Sequence, residues 1–195
     1  MPDTSHGPDL SANPNTGCFT HCPACGRSTL APKSVKSFCC GSCGFLFFIN
    51  CAAAAMALIM DDKNRLLVTI RRHEPAKGAF DLPGGFAEPG EGIEESLRRE
   101  VMEELNLALT KLTYLCSFAN HYPYESVVYP VTDMAFVCET EGFGTIKAGD
   151  DVAGYTFIPM DELDPSQFCM SSAVQVVRYL KAWFADRTGQ VRPNG

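Results

Sequence analysis

The sequence is poor in positive charge. Lys and Arg total 16 against 23 Asp and Glu, which leaves a net charge of −7 and a pI near 5.1. A general nucleic-acid binder normally shows a basic surface, so nucleic acid is not an expected partner. A phosphate-bearing substrate is not excluded, but a cation would have to stand between the two sets of negative charge. An apolar run of membrane length is missing too. The longest, "FLFFINCAAAAMALIM" from 45 to 60, is broken by Asn50 and falls short of the ~20 residues a span needs, so no membrane partner is expected. No apolar secretory segment opens the chain. Residues 1–17 are polar and rich in Pro, Asn and Asp, the composition of a disordered leader. Internal repeats and low-complexity tracts are absent, and the helical stretches are too few for a doubly wound sheet.

What is present is an ordinary globular composition, 46% apolar and 20% charged. Its length suits one domain of about 150 residues plus a small module. Four segments follow: the leader (1–17), a cysteine-rich module (18–48), a larger domain (49–187) and a frayed, flexible tail (188–195). "CAAAAMALIM" (51–60) and "RLLVTIR" (65–71) read as buried strands joined by a turn at "DDKN". "LTYLCSFA", "VVYPVTDMAFVCET" and "GYTFIP" read as further strands, and "GAFDLPGGFAE" as a Gly/Pro loop with room for a short one. Ile93, Leu97, Val101 and Leu105 form one stripe of a helix over 92–105, and Ser171 opens a closing helix over 171–185. The expectation is a mixed α/β fold with a mixed or antiparallel sheet.

The ten cysteines are unevenly spread, six of them between Cys18 and Cys43. Cys22-x2-Cys25 and Cys40-x2-Cys43, with fourteen residues between the pairs, have the spacing of a four-cysteine zinc ribbon. Each tight turn points two thiolates at one tetrahedral ion, and the Gly after each second Cys permits the positive φ of the turn. Cys39 lies one residue too far from Cys43 to replace Cys40. A closed shell of four thiolates has no open position, so the expected Zn²⁺ is structural. The ribbon carries only Arg27, Lys33 and Lys36 as basic residues, which weakens a nucleic-acid role. A reducing, cytoplasmic setting is expected.

Glutamates crowd residues 88–104. Glu100, Glu103 and Glu104 stand at i, i+3 and i+4, so they leave one helix face together, away from the apolar stripe. Either they form a solvated acidic face, or their hard oxygen donors hold Mg²⁺ or Mn²⁺. The surroundings weigh on that choice. Gly85, five residues, Glu91, seven residues, Arg99-Glu100-Val101, one residue, Glu103-Glu104, one residue, Asn106-Leu107 resembles the Nudix box of the Nudix hydrolase family. Asn106 alone departs from it, where the family has Gly. Asn tolerates the left-handed conformation at a helix C-terminus, so the departure is mild. "LPGG" ahead of the box and the pair Arg71-Arg72 are also similar to the family.

The resemblance implies an α/β/α sandwich around a mixed sheet, preceded by the zinc ribbon, and divalent-metal hydrolysis of a nucleoside diphosphate derivative. It implies that Glu100, Glu103 and Glu104 hold Mg²⁺ or Mn²⁺ and that Arg99 orients the carboxylates. Gly84 and Gly85 would turn the loop beside the metal. Glu91 would be either a further ligand or a brace at the helix N-terminus. The base would be Glu103 or a residue of a later loop, and Asp150 or, more so, Asp151 stands where relatives carry another acidic ligand. A ribbon before such a domain is similar to NADH pyrophosphatases and to relatives acting on FAD or ADP-ribose, which implies a nucleotide-type substrate. The stretch after the box, "SFANHYPYES", lacks the NADH signature but keeps Tyr122-Pro123-Tyr124. Those tyrosines either stack on a base or pack a strand edge, Asn120 or His121 could touch ribose or phosphate, and Arg71 and Arg72 are further substrate candidates. Two other readings stay open: a non-catalytic ADP-ribose or NAD sensor, and an RNA 5′-end hydrolase. By analogy with ribbon-bearing relatives a homodimer is expected.

Overall fold

The structure is a computed structural model that describes residues 13–74, 76–149 and 151–188. The chain divides into two compact units, one of residues up to Cys51 with His121–Val131, the other of Ala52–Asn120 with the residues from Thr132 onward.

In the first unit three short strands, β1 (Leu30–Ser34), β2 (Ser37–Cys40) and β3 (Leu46–Phe48), form an antiparallel sheet in the order β1-β2-β3. A small core of Cys22, Leu30, Phe38, Cys40 and Ile49 is closed by Phe19, Phe47 and Val127. Phe19 sets its ring edge-on to both Phe38 and Phe47, with centroids 5.4 and 5.3 Å apart. These strands were not legible in the sequence, because each is too short to show a period. The expected disordered leader reaches too far. Its residues 1–12 lie outside the described residues, but Asn13 and Asn15 are buried. The Asn15 amide accepts from the Val128 N–H (2.7 Å) and donates to the Val128 carbonyl (2.9 Å), pairing with one peptide unit as a strand neighbour would. Polar composition suggested disorder, whereas these asparagines are satisfied by a segment more than a hundred residues away.

In the second unit the elements are β4 (Ala52–Ile59), β5 (Arg65–Arg71), β6 (Phe80–Asp81), β7 (Gly84–Phe86), α1 (Ile93–Leu105), β8 (Leu109–Tyr124), β9 (Val127–Thr140), β10 (Val152–Pro159), a 3-10 turn (Pro165–Gln167) and α2 (Ser171–Thr188). The tips of β8 and β9 belong to the first unit. The strands make two sheets, β10-β5-β6 and β7-β4-β9-β8. The "DDKN" turn between β4 and β5 forms as expected: the Asp61 carboxylate accepts from the Lys63 and Arg65 N–H groups, and Asn64 takes φ 57°.

Strand alternation divides the interior in two. Met56 and Leu58 of β4, with Leu66 and Val68 of β5, pack with Ala173, Val176, Val177 and Leu180 of α2. The intervening Ala55, Ala57, Ile59 and Leu67 pack with Leu97, Val101 and Leu105 of α1. One helix therefore covers each face of the strands, the layering the sequence led us to expect. Among the described residues no helix is long and apolar enough to cross a membrane. The predicted "GAFDLPGGFAE" loop resolves into β6 and β7. The latter pairs with β4 in the register Ala55↔Gly85 and Met56↔Gly84, which lays the two glycines alongside α1.

Candidate functional site

Two side-chain clusters carry chemistry, one in each unit. In the first, the Sγ atoms of Cys22, Cys25, Cys40 and Cys43 all lie within 4.8 Å of one another. The closest pairs, Cys22 with Cys43 and Cys25 with Cys40, are both 3.7 Å apart, and all ten cysteines are free of disulfides. Each knuckle closes on its glycine: the Gly26 N–H donates to the Cys22 carbonyl and the Gly44 N–H to that of Cys40, with φ of 71° and 73°. The Thr29 hydroxyl and the Cys43 and Ser42 N–H groups hold the Cys40 thiol down to about 6 against its burial, a setting that favours thiolate. Four soft sulfurs this close together suit a closed, structural ion.

In the second unit α1 opens at Gly92, whose N–H donates to the Glu95 carboxylate (3.0 Å). It ends on Asn106 at φ 53°, ψ 40°, the left-handed cap expected where the motif has Gly, and the Asn106 amide also donates to the Thr145 carbonyl. The exposed C-terminal carbonyls of the helix find partners in a loop after β9: Lys147 N–H donates to Leu105 and Gly149 N–H to Glu104. The chain is thereby led to Asp151 beside the carboxylate helix. Asp151 is exposed, and its companion Asp150 lies outside the described residues.

Arg99 ties the helix face together. Its guanidinium grips both Glu91 oxygens (2.7 and 3.0 Å), reaches Glu100 (2.9 Å) and Glu103 (3.1 Å), and donates to the Phe86 carbonyl. Arg99 depresses the Glu91 carboxyl to about 2, and Glu91 also accepts the Glu88 N–H (3.0 Å). Its observed bonds thus run to Arg99 and to the loop just before the helix. Glu104 is treated differently. Its carboxylate accepts the Gly84 N–H (3.0 Å), yet burial and the nearby Glu100, Asp81 and Asp151 together push it up to about 8. Burial raises Glu100 as well, with Arg99 opposing. Gly84 and Gly85 make this packing feasible. A Cβ on Gly84, where φ is 139°, would stand 2.1 Å from the Ala55 carbonyl oxygen, and one on Gly85 would stand 2.6 Å from the Glu100 carboxyl carbon.

The carboxylates are more dispersed than the expected convergence on one spot. Among the described residues only the cysteines bring three or more ligand atoms within 4.8 Å of one another. Like charges repel, and Arg99 draws Glu100 and Glu103 toward itself. The donor set nonetheless fits a hard cation: oxygen ligands only, one of them half-buried and disfavoured as a bare charge.

Other expected site residues have different surroundings. Arg71 pairs with Asp81 at 2.8 Å, and Arg72 donates to the carbonyls of Val152 and Gly149, holding the loop before β10. Tyr122 and Tyr124 lie at the end of β8 that clusters with the first unit, and Tyr124 is exposed. Sequence reasoning missed Asp81 and the capping loop at 145–149. Asp81 had a signal, an acidic residue directly before "LPGG"; the cap had none, because it depends on the helix end reaching a distant loop.

Residues 51–179 match the model of the NUDIX domain. The chain is 34% identical over 116 residues to an ADP-ribose pyrophosphatase of Methanocaldococcus jannaschii, covering 60% of this chain and 67% of that one. It is 25% identical over 173 residues to the NAD-capped RNA hydrolase NudC of Pseudomonas syringae pv. tomato, covering 88% of this chain and 58% of the relative. The chain thus spans little more than half the length of that relative. Among solved structures, a NUDIX hydrolase from Nitrosomonas europaea superposes with a TM-score of 0.57 at 18% identity, over 88% of this chain and 94% of that one, a likeness of fold.

Proposed function

Because this chain belongs to the NUDIX domain family, we propose that it hydrolyses the pyrophosphate bond of a nucleoside diphosphate derivative, of the ADP-ribose, NADH or FAD class. The observation that carries the reading is the uneven neutralisation of the α1 face. Arg99 compensates Glu91, Glu100 and Glu103, whereas Glu104 is half-buried among further carboxylates with one backbone N–H for support. Such a face is stabilised by a cation. Mg²⁺ or Mn²⁺ at Glu100, Glu103 and Glu104 would offset the charge of the diphosphate and make water a better nucleophile.

The chain's own groups supply position and proton transfer. The Gly84 N–H fixes Glu104, and Arg99 fixes Glu100. Glu103, with 58% of its side chain exposed, is held by Arg99 through Oε2, and its other carboxylate oxygen would accept a proton from the attacking water. The water oxygen bonds to phosphorus as the anhydride P–O bond breaks in line. The leaving phosphate takes the electron pair, and a nucleoside monophosphate and a phosphorylated remainder result. Zn²⁺ in the cysteine set would hold the first unit together, consistent with a reducing, cytoplasmic setting.

A second reading is favoured by the NudC likeness, which runs over 88% of this chain: an NAD-capped RNA 5′ end as substrate. A panel of ADP-ribose, NADH, NAD⁺, FAD and NAD-capped RNA with Mg²⁺ or Mn²⁺, read as nucleoside monophosphate or 5′-phosphorylated RNA, separates the two. Glu104→Gln keeps the size and removes the charge, and should lower kcat on the order of 10³-fold. A folded variant with near-normal turnover would show the glutamates to be surface only.

A further inference from the structure

The four thiols of the first unit do not have equal surroundings. Cys25 and Cys43 are exposed, so water can reach them, whereas Cys40 is 1% exposed and screened from water. Four thiolates around one Zn²⁺ leave an excess of negative charge on sulfur, and a buried share of that charge needs donors from the chain. Donors converge on Cys40. The Ser42 N–H donates to its Sγ (3.4 Å), and the Thr29 Oγ1 lies 3.2 Å from the same sulfur. The two contacts differ in kind. Ser42 belongs to the same tight turn as Cys40, so its N–H comes with the knuckle. Thr29 stands eleven residues away, beyond the other knuckle, and no turn geometry puts it there. It is fixed by two further bonds. The Thr29 carbonyl accepts the Gly41 N–H (2.9 Å), and the Thr29 hydroxyl donates to the Ser42 Oγ (2.9 Å). One residue that follows the Cys22–Cys25 turn thus meets Cys40, Gly41 and Ser42 of the second turn.

We propose that Thr29 is a positioning residue for the zinc set: its hydroxyl donates to the Cys40 sulfur, draws off part of the thiolate charge and holds that side chain in place. A zinc-bound sulfur has no proton, so a bond between Thr29 and Cys40 can then run only from the hydroxyl to the sulfur. The Ser42 hydroxyl rotates to donate to Thr29 in turn, so neither oxygen is left without a partner. A hydroxyl suits the place because it is neutral and brings no charge to the edge of the small Phe38 core. Nothing in the Cys-x2-Cys spacing points to Thr29, since its contacts cross from one turn to the other. The assignment rests on zinc in the cysteine set and is independent of the hydrolytic reading.

The test uses the full chain and reads metal binding, not turnover. Zinc affinity is measured by competition with a chromogenic chelator at fixed pH, and the sulfur-to-metal charge-transfer band is recorded with Co²⁺ in place of Zn²⁺. Thr29→Val keeps the shape and removes the donor, and should weaken zinc about 10-fold or more. Its cobalt band should move to longer wavelength, because a thiolate that has lost a hydrogen bond gives up an electron more easily. Thr29→Ser restores the hydroxyl and should stay within about 3-fold of wild type, with the band in place. Thr29→Ala, which demands less space, must show the same loss as Thr29→Val if the latter is poorly accommodated. A hydroxyl-free variant with wild-type affinity and band would overturn the proposal. Equal weakening in Thr29→Ser and Thr29→Val, or weaker binding with an unmoved band, would assign Thr29 to the packing of the turns and overturn it as well. A wild-type chain that takes up no zinc would do the same, and would leave the reading of the glutamates untouched.

Discussion

The cysteine set and the glutamate set gather ligands by opposite means. Four thiols come from two short turns, each stapled by its own glycine N–H, and their sulfurs sit as close as 3.7 Å. Three carboxylates come from a single helix, whose rise fixes their spacing, and they are kept apart by repulsion and by Arg99. The soft cluster is assembled by local chain geometry. The hard cluster depends on neighbours brought in from elsewhere: Gly84 and Gly85 through β7, Asp81 through β6, and the 145–149 segment at the end of α1.

The comparison predicts different failures. The largest effect is expected for Cys25→Ser, because four thiols supplied by two turns leave no spare ligand for the proposed ion. Zinc content by elemental analysis should fall from one equivalent to near zero, with several kcal/mol lost, against the ~10–16 kcal/mol of apparent binding energy in zinc-finger peptides. Wild-type zinc content in that variant would end the contrast. Gly85→Ala should act on the glutamates instead, displacing the Glu100 carboxylate that a Cβ would meet. About 10²-fold in kcat/KM is expected from such a misplacement, with the melting temperature moved little. Unchanged kinetics would mean that Glu100 swings freely.

The third prediction concerns pH in metal-free protein. Burial first, and then Glu100, Asp81 and Asp151, lift Glu104 from 4.5 to about 8 in the fold. Below pH 4.5 the carboxyl is protonated folded or unfolded, and it contributes nothing to the pH dependence. From there to about 8 the folded form alone retains the proton, so stability falls as pH rises, and it levels off above that. The loss is on the order of a few kcal/mol, and Glu104→Gln should flatten it in thermal melts with chelator present. An identical slope in the variant would place the titration elsewhere. The smallest effect is expected for Asn15→Ala, which removes both bonds to Val128. A loss of about 1–2 kcal/mol should show in denaturant unfolding, and no loss would mean that the 13–17 turn is dispensable.

Much of the fold was readable because its signals are local. The run at 65–71 became β5 and 127–140 became β9 with the expected ends, and the stripe Ile93, Leu97, Val101, Leu105 became the buried side of α1. Periods of two and of 3.6 residues report which side of an element meets the core. The Cys-x2-Cys turns and the left-handed Asn106 are equally local, since a few bonds set them.

Other features had no local signal. Asn15 looks like any residue of a polar leader until Val128 faces it. Arg71 and Arg72 read alike in sequence, yet one meets a carboxylate and the other two carbonyls. Asp133 was visible as a lone acid in an apolar strand, but only the packing of β9 made it a buried oxygen without a partner. By itself the sequence determined which residues alternate, turn and cap, because those depend on covalent spacing. The tertiary structure decided which charges are matched and which are left in need of a ligand, because burial and long-range pairing belong to no single segment.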